Sequence, residues 1–270
     1  MAETEDLPVF HLEAVTYHYP DGEIGIHELD LTVHERERIV LLGANGSGKS
    51  TLLRVLDGLI FPGKGTVRAF GQVLNEKNLN VDRLNLDFRR RVGFVFQNSE
   101  TQLFSSTVWD EIAFGPLHMG MSVPQIRERV SELLEFFGIE AIRDRPPFKL
   151  SGGEKKKVAL AAVMATNPDV LLLDEPTAAL DPRTERWLID MLVQLGESGK
   201  TLITATHNLD IVEEISDRVV VFGENHRVAA TGPPSELLSE KELLLRVNLI
   251  DPRFHKHFHN GDHRHYHIHD

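Results

Sequence analysis

Residues 43–50, Gly43-Ala44-Asn45-Gly46-Ser47-Gly48-Lys49-Ser50, constrain this chain more than any other stretch. They match G-x-x-x-x-G-K-[ST] in full, after a short apolar run (Arg38 to Leu42) and before a helix-like stretch (Ser50 to Leu59). Strand, glycine-rich turn and helix in that order make a cradle for a polyanion. Phosphate oxygens need several N–H donors at close range, and glycine lets a backbone come that near. The helix N-terminus adds a favourable dipole. Gly43, Asn45, Gly46, Ser47 and Gly48 are the cradle candidates, and Thr51 follows in the first helical turn. Lys49 is placed to reach the β- and γ-phosphates, and the Ser50 hydroxyl is a hard oxygen donor suited to Mg²⁺.

A second signal is an apolar run, Val170 to Leu173, ending in Asp174-Glu175-Pro176. A buried parallel strand delivers its carboxylates to the end where ligands bind in α/β sheets. Asp174 is a candidate Mg²⁺ ligand, and Glu175 a candidate general base for an attacking water. Further strands are expected at Val9 to Tyr19, His27 to Val33, Arg91 to Phe96, Thr201 to Thr206 and Arg218 to Phe222. Between them lie helical stretches at Pro124 to Phe137 (with Ser122 as its cap) and Arg183 to Leu195. The alternation predicts an α/β fold with a parallel core, interrupted by a helical insert at about 98–165.

Composition narrows the function classes. Lys plus Arg is 29 and Asp plus Glu is 41, a net charge of −12, which argues against a phosphate-backbone binder, so no nucleic-acid partner is expected. The chain has no cysteine, which removes disulfides, iron–sulfur clusters and thiol nucleophiles. The longest apolar run, Val158 to Ala165, is eight residues, against roughly 20 for a membrane span. Met1 to Asp6 is acidic without an apolar core, so no secretory leader is expected.

Leu150-Ser151-Gly152-Gly153-Glu154 supplies the third signal, with Ser151 lying 23 residues before Asp174. Ser151, Gly152 and Gly153 open a predicted helix and form a second anion-binding N-terminus. With this string the sequence resembles the ATP-binding-cassette ATPases, across about residues 9–235. The resemblance implies a P-loop nucleotide-binding domain over 1–250 with an N-terminal antiparallel β subdomain, taking ATP and Mg²⁺. It implies that Tyr19 stacks on adenine, with Tyr17 as a competitor. It implies that Gln97 reaches Mg²⁺ and the water site, and that His207 contacts the γ-phosphate. It further implies that Ala179-Leu180-Asp181 lies at a dimer interface, where the Ser151–Gly153 turn of one protomer closes over ATP held by the other. Glu154 departs from the usual glutamine, and Lys155-Lys156-Lys157 is read as a solvated helix face.

Phe96-Gln97-Asn98-Ser99-Glu100-Thr101-Gln102-Leu103-Phe104 is similar to the corresponding stretch of the energy-coupling-factor importers, with Ser99 replacing their proline. Tyr19-Pro20-Asp21-Gly22 and Thr107 to Gly115 point the same way. That resemblance implies a homodimer or paralogue heterodimer at the cytoplasmic face of the cell (inner) membrane. Its partners would be an integral membrane coupling protein and a substrate-specific membrane subunit. Such importers carry vitamins or Ni²⁺ and Co²⁺. The segment 251–270 tips the expectation toward metal, because seven of the 14 histidines fall there: His255, His257, His259, His263, His265, His267 and His269. Imidazole suits Ni²⁺ and Co²⁺. The segment is expected to lack regular structure and to bind metal as a loose chelate. Importers of vitamins, soluble cassette proteins and metal-storage proteins are the competing readings.

Overall fold

The computed structural model describes residues 8–251, 254–258 and 264–268, with backbone alone for 99–100 and the last two segments. In chain order the first elements are β1 (Phe10–His18), β2 (Ile24–Val33), β3 (Arg38–Leu42), α1 (Lys49–Leu56), β4 (Lys64–Ala69) and β5 (Gln72–Val73). There follow α2 (Glu76–Leu79), α3 (Asp82–Arg91), β6 (Val92–Val95), α4 (Val108–His118), α5 (Val123–Phe137), α6 (Gly152–Met164) and β7 (Val170–Asp174). The remainder are α7 (Pro182–Glu197), β8 (Thr201–Thr206), α8 (Val212–Ile215), β9 (Arg218–Phe222), β10 (Val228–Gly232), α9 (Pro234–Leu237), α10 (Lys241–Arg246), β11 (Phe254–Phe258) and β12 (Arg264–Ile268).

The chain divides into two compact units, residues 1–76 with 192–270, and residues 77–191. The first holds an antiparallel sheet in the order β2-β1-β4-β5. Phe10 lies opposite Val33 and Leu12 opposite Leu31, and all four side chains are buried. The same unit contains β3 between β8 and β9, both parallel to it, with β10 antiparallel to β9. Ile39 to Leu42, every residue of β8, and Val219 to Phe222 are buried, as strands covered on both faces must be. Their composition, apolar or β-branched at every one of these positions, follows from that placement.

In the second unit β6 and β7 pair in parallel, Val92 opposite Val170 and Val95 opposite Leu173. Helices α4, α5 and α6 pack on one another. Ser122 starts α5 as expected: its backbone N–H donates to Gln125 Oε1 at 3.0 Å. The buried stripe of that helix is Ile126, Val130, Leu133, Leu134 and Phe137, the periodicity read from the sequence.

At the C-terminal end, the expectation of no regular structure gives way to β11 and β12, which pair antiparallel. The pairing has a local reason: histidine alternates with other residues on both arms, a period of two, and Phe254, Phe258, Tyr266 and Ile268 among them favour a strand.

Candidate functional site

Strand β3 ends at Leu42 and α1 begins at Lys49, so residues 43–48 form the turn between them. Gly48 adopts φ +108°, and a Cβ there would stand 2.3 Å from the Gly25 carbonyl oxygen. A Cβ on Gly43 would stand 2.6 Å from Ser47 Oγ. Backbone is therefore brought where no side chain fits, which is what a phosphate cradle requires. Ser47 Oγ is buried and has no hydrogen-bond partner. Lys49 is 5% exposed, and its Nζ donates to the carbonyls of Gly43 at 2.7 Å and Ala44 at 3.1 Å. These carbonyls hold a buried ammonium beside the turn.

Tyr19 and Tyr17 are both half-buried and meet edge to face at 5.1 Å. The Tyr19 hydroxyl lies 2.6 Å from Thr51 Oγ1, which ties that ring to the start of α1. Gly25 was not apparent as a site residue. A Cβ there would meet Thr51 at 2.8 Å and Tyr19 at 2.9 Å, so its bareness lets β2 pass between them. His226 lies near the 43–48 turn, its Nδ1 3.8 Å from where a Cβ on Gly48 would stand. It sits in the β9–β10 turn, its carbonyl accepts from His27 N–H at 2.9 Å, and its buried Nδ1 has no partner. His207 follows β8 directly and is exposed.

In the second unit, Asp174 ends β7 at 4% exposure and Glu175 follows at 5%. Glu175 has φ +43°, a left-handed conformation costly for a side chain with a Cβ and concentrated at functional positions. Gln97 lies just after β6 with its side chain exposed. The preceding backbone is latched by Gln102, whose Nε2 donates to Phe94 O at 3.0 Å and whose Oε1 accepts from Phe96 N–H at 3.3 Å. Beyond it, the buried Glu111 carboxylate accepts from the N–H groups of Phe104 at 2.9 Å and Ser105 at 2.7 Å. Gln102 and Glu111 thus have a stated job in the stretches that carried the importer resemblance.

The triple lysine is not a solvated face. Lys156 is 3% exposed, and its Nζ donates to the Gln97 carbonyl at 3.2 Å. Burial pushes its ammonium down to about 8, with the Asp174 carboxylate pulling the other way. One buried cation therefore faces both the Gln97 turn and the acidic end of β7. Lys157 Nζ lies 4.5 Å over the Trp187 ring and donates to Phe137 O at 3.2 Å. Helix α6 packs on its neighbours through positions that composition alone assigns to solvent.

The Leu150–Glu154 string opens α6 as a capping box. Ser151 N–H donates to Glu154 Oε2 at 2.8 Å, and Glu154 N–H donates to Ser151 Oγ at 3.3 Å. The Ser151 N–H, with the Ser151 hydroxyl donating to the same Oε2 at 2.8 Å, holds the Glu154 carboxyl below the usual carboxylate range. Ser151, Gly152 and Gly153 line an open cleft together with Ala179, Leu180 and Asp181. Asp181 caps α7: it accepts from Thr184 Oγ1 at 2.6 Å and Thr184 N–H at 3.1 Å, which lowers its own proton affinity. His255, His257, His265 and His267 lie on β11 and β12, whereas His259, His263 and His269 lie outside the described residues.

Comparison with known proteins gives one consistent picture. The family model described as ABC transporter matches residues 26–178. The nickel import ATP-binding protein NikO of Rhodobacter capsulatus is 50% identical over 246 residues, covering 90% of this chain and 96% of that protein. The energy-coupling factor transporter ATP-binding protein EcfA of Carboxydothermus hydrogenoformans is 42% identical over 241 residues, covering 89% of this chain and 86% of that one. Among solved structures, cbiO1 of Clostridium perfringens, part of the ABC transporter complex cbiONQ, superposes with a TM-score of 0.76 at 36% identity, covering 91% of this chain and 96% of that chain. The dimeric ATP-binding cassette MJ0796, in a post-hydrolysis state with ADP and Pi, gives 0.75 at 29% identity, covering 83% and 98%.

Proposed function

This chain belongs to the ABC transporter ATPases, and from that premise we propose that it energises import of a transition-metal cation, cobalt or nickel. The chain is an ATP-binding transport subunit that hydrolyses ATP to ADP and phosphate. The observation that carries the metal cargo is the 50% identity to a nickel import protein along 96% of its length. A vitamin is the second reading, since the 42% identical EcfA is named for energy coupling and for no particular cargo.

In this reading the chain's own residues divide the work. The N–H groups of residues 43–50 cradle the phosphates, and Ser47 Oγ gains the partner it lacks. Lys49 exchanges the carbonyls of Gly43 and Ala44 for β/γ-phosphate oxygens. Tyr19 stacks on adenine. The hard oxygens of Ser50, Gln97 and Asp174 suit Mg²⁺, and the buried, glycine-lined cradle beside Ser50 fits the phosphates it accompanies. Bound there, Mg²⁺ supplies charge neutralisation on the phosphates. Glu175 accepts a proton from water as the water oxygen attacks the γ-phosphorus and ADP departs. His207 positions the γ-phosphate and that water. Ser151, Gly152 and Gly153 close over the nucleotide of a second protomer, with Asp181 at the interface.

No helix among the described residues is long and apolar enough to cross a membrane. In this reading membrane partners carry the transport path and the chain is peripheral on the cytoplasmic face, as the likeness to importer ATP-binding proteins supports. Phe104, Leu117 and Phe114 are 67%, 59% and 40% exposed on the second unit and give such a partner an apolar contact. The test is uptake of labelled Ni²⁺ and Co²⁺ by source cells with and without the chain. Loss of one ion's uptake, restored by wild type and not by Glu175→Gln, supports the proposal. Unchanged uptake of both ions removes the metal cargo and leaves the vitamin. For purified Glu175→Gln, ATP binding is expected to persist while turnover drops about 10²–10⁴-fold.

A further inference from the structure

The ladder between β11 and β12 sets His255 opposite His267 and His257 opposite His265. Residues directly opposite in an antiparallel pair share a face, and so do residues two apart along a strand. These four histidines therefore occupy one face of the hairpin in two adjacent register pairs. The other face takes the remaining pairs, Phe254 with Ile268, Lys256 with Tyr266, and Phe258 with Arg264. Every apolar and cationic residue of the two strands falls on that second face, and every histidine on the first. Composition alone does not require such segregation; it depends on the register.

Paired positions bring Cβ atoms to about 4.5–5.5 Å, and positions two apart lie about 7 Å from one another. Borderline divalent ions take imidazole ligands, and this register places four histidines at adjacent positions on one face of the hairpin. An all-imidazole donor set, in a chain without cysteine, suits Ni²⁺, Co²⁺ or Zn²⁺ rather than Cu(I), Ca²⁺ or Mg²⁺. We propose that the one-faced set His255, His257, His265 and His267 on the β11–β12 hairpin is a site for a single divalent transition-metal ion. The site is defined by strand register, and it is independent of which cargo is transported. A two-stranded hairpin is marginal by itself, so the ion would also hold the hairpin together.

The experiment is titration of the full chain with Co²⁺, followed by its visible absorption, with Ni²⁺ and Zn²⁺ as competitors. Wild type is expected to bind one Co²⁺ per chain at this site, and replacing His259, His263 and His269 by Ala is expected to leave that binding in place. A register variant keeps composition unchanged: His255→Lys with Lys256→His, and His257→Phe with Phe258→His. It should lose Co²⁺ affinity by at least about tenfold with ATPase turnover intact. Equal affinity in the register variant would show loose chelation by histidine content and overturn the proposal. So would failure of wild type to bind Co²⁺, or loss of binding when only His259, His263 and His269 are replaced. Metal uptake can fail while this binding stands, which separates it from the cargo reading.

Discussion

Two glycine-rich helix starts serve this chain, Gly43–Ser50 before α1 and Leu150–Glu154 before α6, and they are built in opposite ways. The first is crowded at its base: Gly48 backs onto a neighbouring carbonyl, Lys49 is buried, and Ser47 Oγ has no partner. The second is exposed and complete within itself: a Cβ on Gly152 would meet nothing within 4 Å, and Ser151 and Glu154 satisfy one another. A turn that leaves polar groups unmatched inside its own fold is made for a ligand that enters it. A turn that is already matched, and open to solvent, suits a ligand presented from outside. That physical contrast supports giving the first turn to the chain's own ATP and the second to the ATP of a partner protomer.

Glycine replacement breaks or sharpens the contrast most directly. Gly48→Ala should cost about 3 kcal/mol or more in denaturant unfolding and abolish nucleotide binding, because its φ and a backbone oxygen 2.3 Å away both oppose a side chain. Gly152→Ala should stay within about 0.5 kcal/mol of wild type. Its ATP binding as a single chain should be normal, and its loss should appear only in turnover. Equal costs at the two glycines would erase the distinction. Next in size, Lys49→Ala should weaken ATP binding about 100-fold, read by fluorescent-nucleotide titration, since a charge-assisted contact worth up to about 3 kcal/mol is removed.

Lys156→Met tests whether the buried cation serves the Gln97 turn. Turnover should fall about tenfold, while stability moves by no more than about 1 kcal/mol, because an apolar side chain of similar length replaces a desolvated ammonium. Unchanged turnover would reduce Lys156 to packing. The smallest effect is Glu154→Ala, about 1 kcal/mol by thermal unfolding at pH 7. The Glu154 carboxyl is lowered from its usual 4.5 in the fold, so its contribution is full above that value. It disappears as pH falls through the lower folded value. The gap between wild type and Glu154→Ala should therefore narrow in acid below about pH 4.5, and a gap that widens there would remove the capping-box account.

Much of this was legible in the chain. Arg38–Leu42, Thr201–Thr206 and Arg218–Phe222 are strands with the bounds read from the sequence, since a strand buried on both faces is rich in apolar and β-branched residues, the three buried threonines of β8 included. Strands β4 and β5 were not seen, because Lys64–Ala69 buries only Val67 and Ala69 outright and Gln72–Val73 is two residues long. Helix α3 escaped for a similar reason, with Phe88 as its one buried residue beside four arginines.

Local chemistry determined the phosphate turn, the acidic strand end, the signature turn and the histidine alternation, because each is a short pattern whose residue types carry their own meaning. Only the tertiary structure decided that Lys156 is buried against the Gln97 carbonyl while Lys155 beside it is not. It alone showed that Gly25 must be bare and that four histidines share one face. Those facts depend on which segments meet, and burial, steric clearance and cross-strand register belong to pairs of distant residues that no local pattern contains.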